Sequence, residues 1–392
     1  MNGLEFTFWL AVGCIVYTYA GYPVLLMALA ALKQLRGDLR FLSAGESRRN
    51  GAEVDLPTVA VLVAAHNEEL HIEQRIRNLL ALDYPAERLR IYVGSDGSDD
   101  ATEALAAPFV GERVVWRGFA QRRGKPSVIN DLAALATEDV LVFTDANTQF
   151  SAGAVKSLVR HLRDPAVGCV RGELRLQARD GAENQDHIYW RYERMLKFFE
   201  GRLGALIGAN GGVYALRREQ YRAIPSDTVV DDFWISMELV RGGRRCAYDP
   251  EAVAWEDVPE RIGDEFARRV RIGTGNYQAL RNFWTMLDPR RGFIALTFFS
   301  HKFLRWLVPH FMILAAIANF ALVGNPLYTG LLTAQVVFYG LALLGYRRSR
   351  NGLTPALLRM PLFFVSMNLA LLFGFWKYLT GNRTGSWART AR

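Results

Sequence analysis

Residues 6–32, "FTFWLAVGCIVYTYAGYPVLLMALAAL", form one apolar run without a charged side chain. Wound as a helix, such a run is long enough to cross a bilayer. No other feature limits the fold as strongly, because a run of this length has to be covered by lipid or by protein. Three further apolar runs follow Thr297, at about 307–323, 327–345 and 357–376. Between Lys33 and Leu296 no run approaches that length, and charges recur throughout. The chain therefore reads as a water-facing part flanked by membrane parts. This is how 51% hydrophobic residues coexist with 22% charged ones.

A cleaved leader is the alternative for the first run. However, no basic residue precedes it, and it is longer than the apolar region of a signal peptide. A retained anchor is expected. Its basic flank follows it, in Lys33, Arg36, Arg40, Arg48 and Arg49. The positive-inside rule then puts the N-terminus outside and the central part in the cytoplasm. The basic loop "YRRSR" at 346–350 agrees. Four spans would leave Lys377, Arg383, Arg389 and Arg392 outside, against the rule. Arg359 and Pro361 lie in the last run, so a re-entrant segment and a translocated tail are both open there. The expected organisation is an anchor over 1–37, a linker over 38–56, a cytoplasmic domain over 57–295, and a membrane region with tail over 296–392.

From Pro57 onward, short apolar runs alternate with amphipathic stretches. "TVAVLVAA" (58–65), "LRIYVGSD" (89–96), "RVVW" (113–116) and "DVLVFTDA" (139–146) read as buried strands. "EELHIEQRIRNLLAL" (68–82) and "KPSVINDLAALA" (125–136) read as helices, and another is expected from a cap near Ser98. Strand–helix alternation over this stretch predicts a largely parallel, doubly wound α/β sheet. Ligands on such sheets sit beyond the C-terminal ends of the strands.

Those ends carry the chemistry-bearing residues. The first strand runs into "AAHNEE" (64–69), the second into "SDGSDD" (95–100) and the fourth into "TDANT" (144–148). The third leads through "RGFAQRRGKP" (117–126) into a helix. There a glycine and a lysine meet a helix N-terminus, a place suited to phosphate. The spacing of a P-loop is absent, as is a G-x-G-x-x-G after the first strand. Further on come adjacent acids in "SDTVVDDFWIS" (226–236), a glycine-rich turn "GANGGVY" (208–214), and three arginines in "DEFARRVRIGTGNYQ" (264–278).

In order and spacing these motifs resemble the membrane-bound family 2 glycosyltransferases of the cellulose-synthase, chitin-synthase and hyaluronan-synthase type, over about residues 57–275. The family's Asn-Glu matches Asn67 and Glu68, and its Asp-Asp-Gly-Ser is here Ser95-Asp96-Gly97-Ser98. Its Lys-x-x-x-x-Asn matches Lys125 to Asn130, and its Asp-x-Asp falls on Asp145 and Asn147. Its Thr-Glu-Asp falls on Val230, Asp231 and Asp232, and its Gln-x-x-Arg-Trp on Arg268, Arg271 and Ile272. The resemblance implies a GT-A-type, Rossmann-like mixed-sheet domain between transmembrane helices, one N-terminal and about three C-terminal. It also implies an inverting transfer from a nucleotide-diphosphate sugar to a lipid-linked or growing glycan acceptor. A divalent metal, Mg²⁺ or Mn²⁺, and other polysaccharide-assembly proteins would accompany it.

The resemblance assigns roles, and most have a plainer alternative. Asp96 contacts a base or ribose, or is a turn acid before Gly97. Asn67 and Glu68 contact the nucleotide, or cap the following helix. Lys125 contacts phosphate, or belongs to a solvated charge run. Asp145 and Asn147 hold the metal, the amide offering a neutral oxygen; alternatively Asn147 caps a helix starting near Ser151. Asp232 is the general base with Asp231 orienting it, or both acids only favour the helix dipole. Arg268 and Arg271 clamp the leaving diphosphate. Asn210, Gly211 and Gly212 face the acceptor, or form a plain bulge.

Ile272 and Arg268 replace the family's Trp and Gln, which leaves polymer handling open between a processive synthase with a channel and a single-addition enzyme. The third reading is a non-catalytic membrane protein that keeps a nucleotide-binding fold. "NQDHIYWRYERMLKFFEGRLG" (184–204) is amphipathic and aromatic and reads as an interfacial helix or as a core helix, and "SHKFLRWLVP" (300–309) has the same character. A net charge of +8 fits apposition to anionic lipid. No nucleic-acid recognition motif accompanies it. Cys14, Cys169 and Cys246 have no metal-type spacing, and His66, His71 and His161 are too scattered for zinc.

Overall fold

The computed structural model describes residues 2–44, 55–177, 187–209, 211–257, 262–349 and 355–381. Contacts divide the chain into two compact units. Among the described residues, one gathers 2–28, 187–193, 262–349 and 355–381, and the other 29–44, 55–177, 194–209 and 211–257.

The first helix, α1 (Gly3–Val16), starts on a capping box between Asn2 and Glu5. A π-helical turn, Tyr17–Gly21, leads into α2 (Tyr22–Ala44). The helix therefore continues past Asp38, where a linker is expected. Residues 33–44 contain no proline and only one glycine, so nothing in them stops a helix. The rest of the expected linker up to residue 54 lies outside the described residues.

The sheet unit is built on β1 (Val59–Ala65), α3 (Ile72–Leu80), β2 (Leu89–Asp96), α4 (Thr102–Ala106), β3 (Val114–Phe119), α5 (Lys125–Leu135) and β4 (Val140–Asp145). The four strands run parallel in the order β3-β2-β1-β4. β1 is buried almost throughout, as a strand covered on both faces must be. Val59, Val61 and Val63 share a core with Ile72, Ile76 and Leu79 of α3.

Beyond β4 come β5 (Thr148–Phe150), α6 (Ala154–His161), β6 (Val167–Gln177), α7 (His187–Leu203), β7 (Tyr214–Arg217), α8 (Asp231–Arg241) and β8 (Arg245–Asp257). Here β7 is antiparallel to β4 and to β6, β6 is parallel to β8, and β5 is antiparallel to β8. The full order is β3-β2-β1-β4-β7-β6-β8-β5, an eight-stranded mixed sheet. The largely parallel sheet expected from strand–helix alternation thus holds for its first half only. Two helix starts also differ from expectation. The amides of His71 and Ile72 both bond to the Glu68 carbonyl, so residues 68–71 form a turn before α3. Ser98 does not cap a helix; its hydroxyl meets Ser95 Oγ at 2.8 Å and accepts from the Asn67 amide.

The helical unit holds α9 (Ile262–Phe283), α10 (Phe293–Thr297), α11 (Leu304–Ala321), α12 (Pro326–Ser349) and α13 (Ala356–Leu379). A π-helical stretch, Phe298–Phe303, joins α10 to α11. Four helices are long and apolar enough to cross a membrane: Gly3–Leu39, Phe293–Ala321, Pro326–Ser349 and Ala356–Leu379. α9 and α13 meet backbone to backbone. A Cβ on Gly374 would stand 2.7 Å from the backbone of Gly273 and Thr274.

Candidate active site

Three strands of the sheet unit end at one level. Ala64 of β1 is paired with Asp145 of β4, and Ala65 with Ser95 of β2. The chain leaves the sheet there as His66–Glu69, Gly97–Ser98 and Ala146–Asn147. The sheet reverses its order between β1 and β4, the place where α/β sheets open a crevice for ligands.

Asp96, at the end of β2, is only 3% exposed. Its carboxylate accepts from the backbone amides of Arg123 at 2.7 Å and Gly124 at 2.8 Å. Gly97 follows with φ +64, and a Cβ there would stand 2.8 Å from the Arg122 amide. The Asp-Gly pair therefore docks the loop before α5 rather than only turning its own chain. That loop delivers Lys125, the first residue of α5, whose ammonium lies 2.6 Å from Asp145 Oδ1 and 3.3 Å from Asp231 Oδ2. Lys125 is no member of a solvated charge run. Burial alone would lower its pKa, but the charges of Asp145, Asp231 and Asp232 raise it instead. It holds its proton.

Asp231 and Asp232 open α8. Asp231 is buried, and Asp232 is half-buried with Oδ1 accepting from the Phe233 amide at 2.7 Å. Burial first, then the neighbouring charge of Asp231, pushes the Asp232 carboxyl up to about 6, although Lys125 opposes the shift. Gly211 stands among these groups. A Cβ on it would lie 3.5 Å from Asp145 Oδ2, 3.6 Å from Asp232 Oδ2 and 3.7 Å from Lys125 Nζ. Two carboxylates and one ammonium thus converge around a residue with no side chain. Gly212 lies against Leu174, whose Cδ1 would be 2.9 Å from an added Cβ. Asn210 lies outside the described residues.

Asn67 adopts φ +56, a left-handed conformation that asparagine tolerates better than most residues. Its side chain exchanges two hydrogen bonds with Asp99, donating to Oδ1 at 2.5 Å and accepting from the amide at 3.0 Å. The Glu68 amide donates to Thr102 Oγ1 at 2.8 Å. These bonds tie the loop after β1 to the loop after β2. The N-cap of α3 is His71, which makes no side-chain cap hydrogen bond.

Asn147 does not cap a helix either, since β5 begins at the next residue and α6 only at Ala154. Its Nδ2 donates to Glu256 Oε1 at 3.3 Å. With the amide nitrogen so engaged, Oδ1 is the atom Asn147 can offer a ligand. Glu256 is 7% exposed and stands opposite Thr148 in the β5–β8 register. It brings an acid beside the Asp-x-Asn turn that the linear motif does not contain. Its only signal in the sequence is a charge among the apolar residues of "AVAWED" (252–257).

Arg268 and Arg271 lie on α9, in the helical unit. Arg268 Nε pairs with Glu265 at 2.9 Å, and Arg269 Nε with the same carboxylate at 2.6 Å. Those paired arginines lower the Glu265 pKa although burial works to raise it. The sheet unit therefore brings together Lys125, Asp145, Asp231, Asp232 and Gly211, and Arg268 and Arg271 belong to the helical unit.

The fold has known counterparts. A family model described as "Glycosyltransferase like family 2" matches residues 57–275. The poly-beta-1,6-N-acetyl-D-glucosamine synthase of Staphylococcus aureus (strain COL) is 27% identical over 246 residues, 60% of this chain and 59% of the relative. The Staphylococcus epidermidis synthase of the same name is 23% identical over 241 residues, 59% of this chain and 58% of the relative. The match thus spans less than two thirds of the length of these relatives. Among solved structures, the mannosyltransferase PcManGT from Pyrobaculum calidifontis, in complex with GDP-Man and Mn²⁺, superposes with a TM-score of 0.65 at 23% identity. That likeness covers 91% of this chain and 97% of the mannosyltransferase, and it establishes a GT-A-type fold. With a family model matched over more than half of its residues, the chain belongs to glycosyltransferase family 2.

Proposed function

We propose that the sheet unit binds a nucleotide-diphosphate sugar at the C-terminal ends of β1, β2 and β4, and transfers the sugar with inversion to a lipid-linked or growing glycan acceptor. The observation that carries this reading is the convergence of Asp145, Asp232 and Lys125 around Gly211. Asp232 takes the proton of the acceptor hydroxyl as that oxygen attacks the anomeric carbon. The bond from that carbon to the diphosphate breaks, and the nucleoside diphosphate leaves with the electron pair. A base works best with a pKa near the working pH, and Asp232 is raised to about 6. Lys125 carries positive charge to the donor side and restrains Asp145 and Asp231. Asn67, Glu68 and Asp96 shape the nucleotide end by fastening the loops around it.

The residues present fit a divalent metal. Asp145 and the carbonyl oxygen of Asn147 are hard oxygen donors of the kind Mg²⁺ and Mn²⁺ accept, and Gly211 leaves room beside Asp145. Among the described residues no group of three or more His, Cys, Asp or Glu side chains is arranged around one metal position. Donor oxygens would therefore share the ion with the protein. When bound, such an ion compensates the charge of the departing diphosphate. Support comes from the mannosyltransferase of like fold, described with GDP-Man and Mn²⁺.

The synthases matched in sequence favour a second reading within the same chemistry, repeated addition of N-acetylglucosamine to one growing chain. Both readings are drawn with the sheet unit in the cytoplasm, the side that the basic flank after the first apolar run supports. The test is transfer by the purified chain in lipid from a panel including UDP-N-acetylglucosamine and GDP-mannose, with Mn²⁺ or Mg²⁺. Release of nucleoside diphosphate matched by sugar in product is expected with one donor, and product length separates single from repeated addition. Neither transfer nor hydrolysis with any donor would leave a non-catalytic nucleotide-binding fold as the better account.

A further inference from the structure

Among the described residues Arg75 is the largest fully buried side chain, with 0% exposure. It lies on α3 between Ile72 and Ile76, on the stripe that continues to Leu79 and packs into the core. A charge on that stripe is costly unless something holds it. Two groups do. One guanidinium nitrogen donates to Asn78 Oδ1 and the other to Thr144 Oγ1, both at 2.7 Å. The guanidinium also lies over the Phe150 ring, 4.4 Å from its centroid. Its Nε has no hydrogen-bond partner.

Each partner passes the contact on. Thr144 immediately precedes Asp145, and its hydroxyl donates to the Gly212 carbonyl at 2.8 Å. Asn78 accepts from the Phe150 amide at 2.8 Å and donates to the Phe150 carbonyl at 3.0 Å. Arg75 and Asn78 therefore hold the Asp145–Asn147 turn from both sides, before it at Thr144 and after it at Phe150. Through Thr144 the same network holds the Gly211–Gly212 loop against the end of β4. Among the described residues no carboxylate pairs directly with Arg75. Burial pushes its pKa down to about 9, and Asp145 is the charge that counters this. The group stays charged at neutral pH.

We propose that Arg75 is a positioning residue for the donor site: through Thr144 and Asn78 it fixes the Asp145–Asn147 turn and the Gly211–Gly212 loop. The inference rests on the proposed donor site and deepens it. Arg75 itself touches no substrate. A buried arginine used only to complete the core would affect stability and the active fraction, but not the affinity of correctly folded molecules.

The experiment compares the full-length wild type with R75K and R75M in lipid. It measures thermal unfolding, Mn²⁺ binding by paramagnetic resonance in the presence of nucleoside diphosphate, and the split between KM for the donor and kcat. The expected result is a weakening of Mn²⁺–nucleotide binding and a rise in donor KM of roughly tenfold or more in R75M, as befits a lost charged hydrogen bond. R75K keeps the charge but holds fewer partners, and is expected to fall between R75M and wild type. If R75M does not fold, T144V carries the test, because it removes both the acceptor of Arg75 and the link to Gly212 at nearly constant volume. Binding and KM unchanged in R75M or, where that variant fails to fold, in T144V would overturn the inference, as would a loss confined to apparent kcat. A wild type that binds no nucleoside diphosphate would instead remove the functional reading and this inference with it.

Discussion

Asp231 and Asp232 are neighbours in sequence with different surroundings. Asp231 is buried and faces Lys125 at 3.3 Å, whereas Asp232 is more exposed and lies near Asp145 beside Gly211. This asymmetry suits Asp232 to receive a proton. It must be ionised to do so, and its pKa is raised to about 6. Transfer is therefore expected to fall as pH drops through about 6 and to level off above it, in a pH–rate profile at saturating donor. Asn147 makes a second residue-scale prediction. The family's acid at this position would sit against Glu256, whose Oε1 now accepts from the amide. N147D is expected to weaken metal-dependent donor binding roughly tenfold, the scale of a lost hydrogen bond to a charged group. Adding E256Q should restore it; N147D binding as well as wild type would contradict the pairing. Asn147 was legible as a member of an Asp-x-Asn motif because motif spacing is local. Glu256 was not, because it arrives from a strand more than a hundred positions later.

At the scale of elements, the parallel half of the sheet could be read from the sequence because strands buried on both faces appear as continuous apolar runs. Each motif at a strand end followed from that. The antiparallel half escaped the same reasoning, since β7 and β5 are only 4 and 3 residues long and their partners are distant in sequence. Arg75 was hidden inside a helix whose apolar spacing it interrupts, and nothing local distinguishes it from a surface arginine. Helix packing in the helical unit is testable directly. Gly374 of α13 leaves no room for a Cβ against α9. G374L should lower the unfolding temperature of the chain in detergent, at about 1–3 kcal/mol or more for forced overpacking. G330L on α12, where nothing lies within 4 Å, is the control and should leave it unchanged. Equal unfolding temperatures in the two variants would contradict the close α9–α13 approach.

For the whole molecule, four helices are long and apolar enough to cross a membrane, and a basic flank follows the first of them in the sequence. On the positive-inside reading, the sheet unit faces the cytoplasm and the turn between α11 and α12 faces outward. In a C14S background, V323C should react with a membrane-impermeant maleimide in intact cells, and E87C only after the membrane is opened. Reversed labelling would invert the topology and remove the sheet unit from its nucleotide sugars. Within the sheet unit, one cluster is proposed to bind the donor through Asp145 and to accept the proton through Asp232. The most direct test measures metal-dependent binding of the donor that the wild type uses, together with transfer from it, in D145A and D232N side by side. D145A is expected to lose metal-dependent binding. D232N is expected to bind like wild type but to transfer roughly 10²–10⁴-fold more slowly, the range of a lost general base. Intact metal-dependent binding in D145A, or normal turnover in D232N, would overturn these roles.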